Sequence, residues 1–310
     1  MGKKPCLRRK VILIISFTIL LSLVSHKNVW AQKEIRVVTT IGQITDVVRI
    51  VGGRRVLVHG LIAPSVDPTA YQASEVDVKR LSEADIVFYV GLSFESRLED
   101  VIEKTGRFKP AIAVGEAIPK GLLINSESIA GRYDPHIWFD VPFWMRVTIK
   151  IRDALTRFDP YGRGDFFINA QRYLKELEQL HEYVSLKAKN LPQEKRVLVT
   201  FHDAFRYFGR KYDFKLVGLR GISPEAQADA KNIIQLADLI SERRIKAVFV
   251  DPLMPKESIK ILQETILANG WEVKIGELFS DTMGEEGTFE GTYIGMITHN
   301  INVIIDRLKK

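Results

Sequence analysis

The sequence predicts an α/β protein with two lobes, each a mainly parallel sheet flanked by helices, joined by one long helical strut. Short β-branched runs alternate with segments of helical periodicity, which is typical of parallel sheets covered by helices. This alternation occurs twice, once before residue 115 and again after residue 196. Between the two stretches lies a long helical pattern with no internal proline. Each lobe is therefore expected to be a separate α/β layer structure.

Length and charge set limits on the class of protein. The 310 residues are 46% hydrophobic, which is enough for two lobes of roughly 100–150 residues. The net charge of +7 is concentrated at the N-terminus, because six of the 45 basic residues and no acidic residue lie in residues 1–31. The rest of the chain has 39 basic residues against 38 acidic ones. A nearly neutral body has no electrostatic basis for binding nucleic acid, so none is expected.

Residues 1–31 are predicted to be a signal peptide. A basic stretch ending at Lys10 precedes 14 residues, 11–24, that are apolar except for three hydroxyl side chains. Val29 and Ala31 then stand three and one residues before the expected cleavage point. Because 14 residues are short for a transmembrane helix, cleavage and export to the periplasm are expected, with an uncleaved N-terminal anchor as the alternative.

The cysteine content restricts the chemistry of the mature chain. Cys6 is the only cysteine, and it precedes the apolar stretch. A lipid anchor needs its cysteine just after such a stretch, so none is expected. The mature chain would have no disulfide and no thiolate ligand. Any metal site must therefore use His, Asp or Glu.

The N-terminal lobe is assigned to residues 32–158. Its strands are predicted from β-branched runs at Ile35–Thr39, 56–61, 86–90 and 111–114. Its helices are predicted at 44–51, 74–81 and 94–104. Gly52 and Gly53 end the first of these helices, and Ser74 caps the second.

The linking helix is assigned to residues 159–191. Leu174, Leu177, Leu180 and Val184 recur at helical spacing, and Pro192 ends the pattern. The helix itself is predicted from about residue 161 to 189, which corresponds to a length of roughly 40 Å. That length suits a rigid connection between two lobes.

The C-terminal lobe is assigned to residues 192–310. Strands are predicted at Val197–Thr200, 215–219, Ala247–Val250 and 273–275. Helices are predicted at 202–212, 228–242, 256–269 and 293–308. No glycine-rich phosphate loop follows any of the strands, so nucleotide binding is not predicted.

Three side chains are candidates for chemistry because each follows a strand or lies in a connecting loop. They are His202 in the segment Thr200-Phe201-His202-Asp203, His136 in Asp134-Pro135-His136, and Asp281 in a loop rich in glycine and acids. Ligands of open α/β sheets collect beyond the carboxyl ends of the strands. Two imidazoles and one carboxylate suit a divalent cation such as Zn²⁺, Mn²⁺ or Fe²⁺.

Several short motifs carry a resemblance to a known family over about residues 35–308. The motifs are VVTT at 37–40, VDP with Tyr71 at 66–71, DVKRL at 77–81, ADIVFY at 84–89, DPHIW at 134–138, TFHDAF at 200–205, and SD, GEEG and GTYIGM within 280–296. In their order and spacing they resemble the cluster A-I metal-binding solute receptors of zinc- and manganese-type ABC importers, the bacterial solute-binding protein 9 family.

The resemblance implies an exported receptor that captures a divalent transition metal (Mn, Zn or Fe) between two lobes. It further implies delivery of the metal to an integral-membrane ABC permease that has a separate ATPase subunit. The receptor is expected to be a monomer and not an enzyme. Because metal ligands must be deprotonated, affinity is expected to fall at acid pH.

The family holds its metal with four side chains, and three of them match this sequence. His136 stands at the second ligand position, His202 at the third and Asp281 at the fourth. The first position differs, because the family usually reads Asp-Pro-His and here Thr69 stands in place of the histidine. A hydroxyl is a poorer ligand than imidazole, which should weaken Zn²⁺ binding more than Mn²⁺ binding.

Several alternatives remain open for the fourth ligand and for the function. Water, Thr69, Asp67, Glu225 or the second oxygen of Asp281 can complete the site, and His59 is a more remote substitute. The chain could also be a degenerate receptor with impaired metal binding, a two-His-one-carboxylate metalloenzyme, or a surface adhesin.

Overall fold

The computed structural model describes residues 34–64, 66–126, 131–218 and 230–309. The two sheets and the helices between them belong to the unit Ile35–Lys310. Residues 1–31, with the predicted signal peptide, and Glu225 lie outside the described residues. Within the described ranges, no helix combines the length and the apolar character that a membrane span requires.

The first sheet contains β1 (Ile35–Thr39), β2 (Val56–Gly60), β3 (Ile86–Tyr89) and β4 (Ala111–Ala113). Its order is β2-β1-β3-β4, and all three pairings are parallel. The helices α1 (Gly42–Gly52), α2 (Glu75–Glu83) and α3 (Glu99–Gly106) connect these strands. Ser74 caps α2 in a reciprocal hydrogen-bonded pair with Asp77. The strand β3 is a continuous apolar run because both faces of the sheet are covered there, whereas β1 contains the exposed Arg36 and β2 the exposed Leu57.

Two consecutive helices connect the lobes. They are α4 (Val141–Phe158) and α5 (Arg163–Lys189), and the second is the long helix predicted from the sequence. Its buried residues recur every three or four positions and form one face; they are Phe166, Ala170, Tyr173, Leu177, Leu180, Val184 and Ala188. This face packs against α1 and α4 of the first half of the chain. The long helix is therefore an internal support rather than an isolated strut.

The second sheet contains β5 (Val197–Thr200), β6 (Lys215–Gly218), β7 (Ala247–Val250) and β8 (Lys274–Glu277). Its order, β6-β5-β7-β8, repeats the pattern of the first sheet, and its pairings are also parallel. The helices of this lobe are α6 (Arg206–Tyr212), α7 (Ala230–Glu242), α8 (Lys256–Ala268) and α9 (Tyr293–Lys309). The helix α9 also packs against α5. The predicted two-lobed α/β fold with a long linking helix is confirmed.

Two helices begin later than the sequence predicts. The helix α3 begins at Glu99 instead of 94, because Leu92 and Ser93 adopt positive φ angles of 56° and 63° in a turn. The helix α6 begins at Arg206 instead of 202, so His202 lies in a bend rather than on a helix. The helix α4 is an element that the sequence patterns above do not predict.

The hydrophobic core is continuous from the first sheet through α4 and α5 into the second half of the chain. Its centre is aromatic, and the rings of Trp144 and Tyr293 stack with their centroids 5.0 Å apart. A second, smaller cluster lies in the C-terminal lobe and includes Ile233, Leu236 and Leu262. The larger core directly supports the loop that carries His136, because Ile137, Trp138 and Phe139 belong to it.

Candidate metal centre

His136 is fixed by the residue two positions before it. The carboxylate Oδ1 of Asp134 accepts hydrogen bonds from the backbone N–H of His136 at 3.0 Å and from its ring Nδ1 at 2.7 Å. Pro135 lies between them, and a single helical turn, Ile137–Phe139, follows. Since a carboxylate only accepts, Nδ1 carries the proton and the Nε2 lone pair is left for a ligand. This is the carboxylate–histidine arrangement that orients metal-binding imidazoles.

His202 and Asp281 lie beyond the carboxyl ends of strands in the second sheet. His202 follows β5 by two residues and Asp281 follows β8 by four. The strands β5 and β8 flank β7, so both side chains reach the same edge of the sheet. The segment of Asp281 is also tied to the first half of the chain. Gln43 donates to the carbonyl of Asp281 at 3.2 Å, and Trp138 Nε1 donates to the carbonyl of Ser280 at 3.0 Å.

These three side chains converge on one point. His136 Nε2 lies 3.3 Å from Asp281 Oδ1, and His202 Nε2 lies 3.2 Å from Asp281 Oδ2. One ligand atom from each residue falls within 4.8 Å of the others. Two atoms bound at about 2.1 Å to a tetrahedral ion stand about 3.4 Å apart, close to the two contacts of 3.3 and 3.2 Å. The three side chains are therefore candidates to bind a single cation.

Both contacts of Asp281 with the imidazoles lie within ion-pair range, but neither is aligned as a hydrogen bond. Among the described residues, His202 Nε2 and Asp281 Oδ1 are buried without a hydrogen-bond partner. The side chain of Asp281 is only 8% exposed, so an unsatisfied carboxylate oxygen carries a large desolvation cost. A cation bound at this point would satisfy both atoms at once.

The electrostatics of the cluster are strongly coupled. Burial by itself would lower the pKa of His136, but the carboxylates of Asp281 and Asp134 outweigh it and raise that pKa. At His202 burial would also lower the pKa, but the carboxylate of Asp281 outweighs it and raises that pKa. Burial would raise the pKa of Asp281, yet the adjacent His202 and His136 hold it well below its usual value. Without an ion, protons on the two imidazoles neutralise the buried carboxylates.

Thr69 makes local hydrogen bonds to Asp67. Its hydroxyl donates to Asp67 Oδ1 at 2.7 Å, and its backbone N–H donates to the same oxygen at 2.8 Å. Asp67 also lines a cavity of about 170 Å³ together with His202 and Asp281. The segment in which Thr69 replaces the family's remaining histidine therefore reaches this cavity through Asp67 and Pro68.

The remaining histidines lie outside the cluster. His59, on β2, lines a separate cavity of about 390 Å³ that Asp281 also reaches, and its buried Nε2 has no hydrogen-bond partner among the described residues. His181 is half-buried, and its Nδ1 lies 3.1 Å from the Tyr212 hydroxyl. His299 Nε2 donates to the Glu277 carbonyl at 3.2 Å.

Two residues near the site have a role that the sequence patterns above do not assign. Asp134 belongs to the DPHIW motif. An aspartate side chain commonly accepts a hydrogen bond from the backbone two residues further on, so an acid two residues before a histidine is a sequence signal for such a turn. Asp251 directly follows β7, the strand between β5 and β8, and accepts a short hydrogen bond from the Ser280 hydroxyl. The rule that ligands collect at strand ends applies equally to Asp251.

The fold and the site together define a class: a two-lobed solute-binding protein in which a buried imidazole, a partly exposed imidazole and a buried carboxylate meet between two parallel sheets. Residues 37–307 match the model of the family described as zinc-uptake complex component A, periplasmic (ZnuA). The chain therefore belongs to this family of metal-binding solute receptors of ABC importers, and the resemblance seen in its motifs is confirmed.

Individual relatives cover nearly the whole chain. It is 41% identical over 280 residues to the manganese-binding lipoprotein MntA of Bacillus subtilis (strain 168). The aligned region covers 90% of this chain and 91% of that protein. It is 40% identical over 275 residues to the zinc-binding protein TroA of Treponema pallidum, covering 88% and 89%. The solved structure of that periplasmic zinc-binding protein superposes with a TM-score of 0.81, covering 89% of this chain and 99% of that one.

Proposed function

We propose that this protein is an exported, periplasmic receptor that binds one divalent transition metal through His136, His202 and Asp281. Mn²⁺ and Zn²⁺ are the expected cargo, with Fe²⁺ as a further candidate. The protein acts as a monomer, releasing the ion to an integral-membrane ABC permease that a separate ATPase drives. It works by binding and release, without turnover.

The observation that carries this proposal is the convergence of three ligand atoms within 4.8 Å of one another. The similarity to one relative named for manganese and another named for zinc supports the same class of cargo. The ligand set favours neither ion strongly. With one imidazole fewer than the family pattern, the site loses more affinity for Zn²⁺ than for Mn²⁺, because Mn²⁺ accepts oxygen and water ligands readily.

Calorimetric titration of the metal-free mature protein tests the proposal. We expect one Mn²⁺ or Zn²⁺ per chain and no binding of Mg²⁺, which prefers oxygen ligands over imidazole. Saturation at about 100 times the dissociation constant should stabilise the fold by about 2.7 kcal/mol and raise its melting temperature. Absence of both heat and thermal shift with either transition metal would establish the degenerate receptor instead.

The partner of His136 gives a second prediction. Asp134→Asn keeps the shape of the side chain but removes the charge that orients the imidazole and raises its basicity. Loss of such a partner typically lowers metal affinity by about 10–100-fold. Titration of Asp134→Asn with Mn²⁺ should show this loss, whereas Asp153→Asn, an exposed change on α4, should bind as the wild type does. Equal affinities for the two variants would show that Asp134 has only a structural role.

A further inference from the structure

The three proposed ligands leave one side of the ion without a protein donor. His202 and Asp281 line the cavity of about 170 Å³ on that side. The oxygen donors on the other walls of this cavity are Asp67, Asp251 and Ser280. A fourth ligand reached through this cavity would come from this set.

Asp251 and Ser280 are already committed to other contacts. Asp251 Oδ1 accepts from the backbone N–H of Leu253 at 2.8 Å, and Oδ2 accepts from the Ser280 hydroxyl. Moving either side chain onto an ion would break these bonds inside a buried site. Both residues also stand at fixed ends of the second sheet.

Asp67 differs because its hydrogen bonds use only one of its two carboxylate oxygens. Both bonds that the described residues make to this carboxylate, from the N–H and the hydroxyl of Thr69, end on Oδ1. The bonds hold the carboxylate in place and leave Oδ2 as the remaining oxygen. Thr69, whose own hydroxyl is used as a donor, thus acts on the carboxylate rather than on the ion.

Charge and burial favour a second carboxylate on the ion. Asp281 is the only anionic member of the three ligands, and Asp134 acts on the ion only through the ring of His136. A carboxylate at the remaining position would place a second negative charge in direct contact with the divalent ion, where the Coulomb attraction is strongest. The carboxylate of Asp281 is enclosed, since its side chain is only 8% exposed. Its Oδ1 has no hydrogen-bond partner among the described residues.

We infer that Asp67 supplies the fourth ligand through Oδ2 and that Thr69 is the residue that positions it. The inference rests on the proposed function. Asp67 lies outside the group of three in this structure, so its segment must move toward Asp281 when the ion binds. The described residues 61–74 between β2 and α2 contain no helix or strand, so a shift breaks no regular element. The resulting site has two imidazoles and two carboxylates, a set that suits Mn²⁺.

Calorimetric titration of the full mature chain with Mn²⁺ tests this assignment. Asp67→Asn should lower the affinity at least tenfold, whereas Glu75→Gln, which removes an exposed carboxylate eight residues further on, should leave it unchanged. Thr69→Ala should also lower the affinity, and Thr69→Ser, which keeps the hydroxyl, should restore it. A thermal midpoint equal to that of the wild type without metal verifies that each variant folds.

The outcomes separate this inference from the proposed function. If Asp67→Asn binds Mn²⁺ as the wild type does while His136→Ala does not, Asp67 is no ligand and the function stands. If the wild type binds no Mn²⁺ and no Zn²⁺, both proposals fail. A crystal of the Mn²⁺ complex provides a second measurement. Anomalous density within bonding distance of Asp67 Oδ2 supports the assignment, and a water molecule in that position overturns it.

Discussion

Asp281→Asn should lower the affinity for Mn²⁺ and for Zn²⁺ at least about a thousandfold, the largest effect expected of any single substitution in this protein. Asp281 contacts both imidazoles, at 3.3 Å from His136 and 3.2 Å from His202. Removing one partner of a buried charge pair costs about 3–5 kcal/mol, and about 4.1 kcal/mol corresponds to a thousandfold change. Asparagine keeps the side-chain volume, so the loss reports the charge.

A matched control lies in the same loop. Glu285 is exposed, and Glu285→Gln removes one negative charge without touching the cluster. Titration with either ion should give wild-type affinity for this control, with both variants melting as folded proteins in the absence of metal. An Asp281→Asn protein that still binds Mn²⁺ within tenfold of the wild type would place the metal elsewhere, and the proposed ligand set would be wrong.

The parts of the fold that were predictable are those in which local pattern and tertiary environment agree. The strands β1, β5 and β7 have the predicted bounds, because each is a short, largely buried run rich in β-branched residues. The long helix was also predictable, since its buried face recurs at helical spacing. These segments would be recognisable in any chain with the same pattern.

The predictions are wrong where a local pattern competes with a turn. Residues 94–98 carry apolar side chains at helical spacing, yet the positive φ angles of Leu92 and Ser93 place them in a succession of turns before α3. The helix α4 does carry two signals at its start, the side-chain cap of Asp140 and Pro142 within the first turn. Buried residues also recur at helical spacing along it, namely Val147, Ile151 and Ala154. The cap and the apolar periodicity therefore both predict this helix.

The site was only partly accessible to sequence reasoning. His136, His202 and Asp281 are separated by 66 and 79 residues, so no local spacing links them. His202 and Asp281 lie at the same edge of the second sheet because both follow the carboxyl ends of its parallel strands. The position of His136 beside them depends on how the two halves of the chain pack. That packing is carried by Gln43 and Trp138, whose donors reach the carbonyls of Asp281 and Ser280. Such long-range polar contacts leave no periodic signal.

The same contacts bear on release of the ion. The Asp281 segment is held from the first half of the chain by Gln43 and Trp138, and the Tyr293 hydroxyl in turn donates to the Trp138 carbonyl at 2.7 Å. The long helix packs against both halves, which opposes a wide opening of the lobes. Local change around the ligands is therefore an easier route to release than a large hinge motion.

Protonation of the ligands is one such local change, and it predicts a steep dependence of affinity on pH. Asp281 raises the pKa of both His136 and His202 above the usual histidine value of about 6.5, so below that pH both imidazoles hold a proton when no ion is bound. A metal ion must displace both protons. Affinity for Mn²⁺ should then fall about a hundredfold for each unit of pH lowered between about 6.5 and 5.

The direction of this pH dependence follows from the raised pKa values of His136 and His202. A proton that is held more tightly in the metal-free protein competes more strongly with the ion, so lower pH always opposes binding. Exchange of two protons for one divalent ion leaves the total charge of the buried cluster unchanged, which makes the exchange electrostatically inexpensive. Titration in two buffers of different ionisation enthalpy at pH 6 measures the protons released, and we expect about two per Mn²⁺. Release of none would mean that the ion binds without the two imidazoles, which would exclude His136 and His202 as ligands.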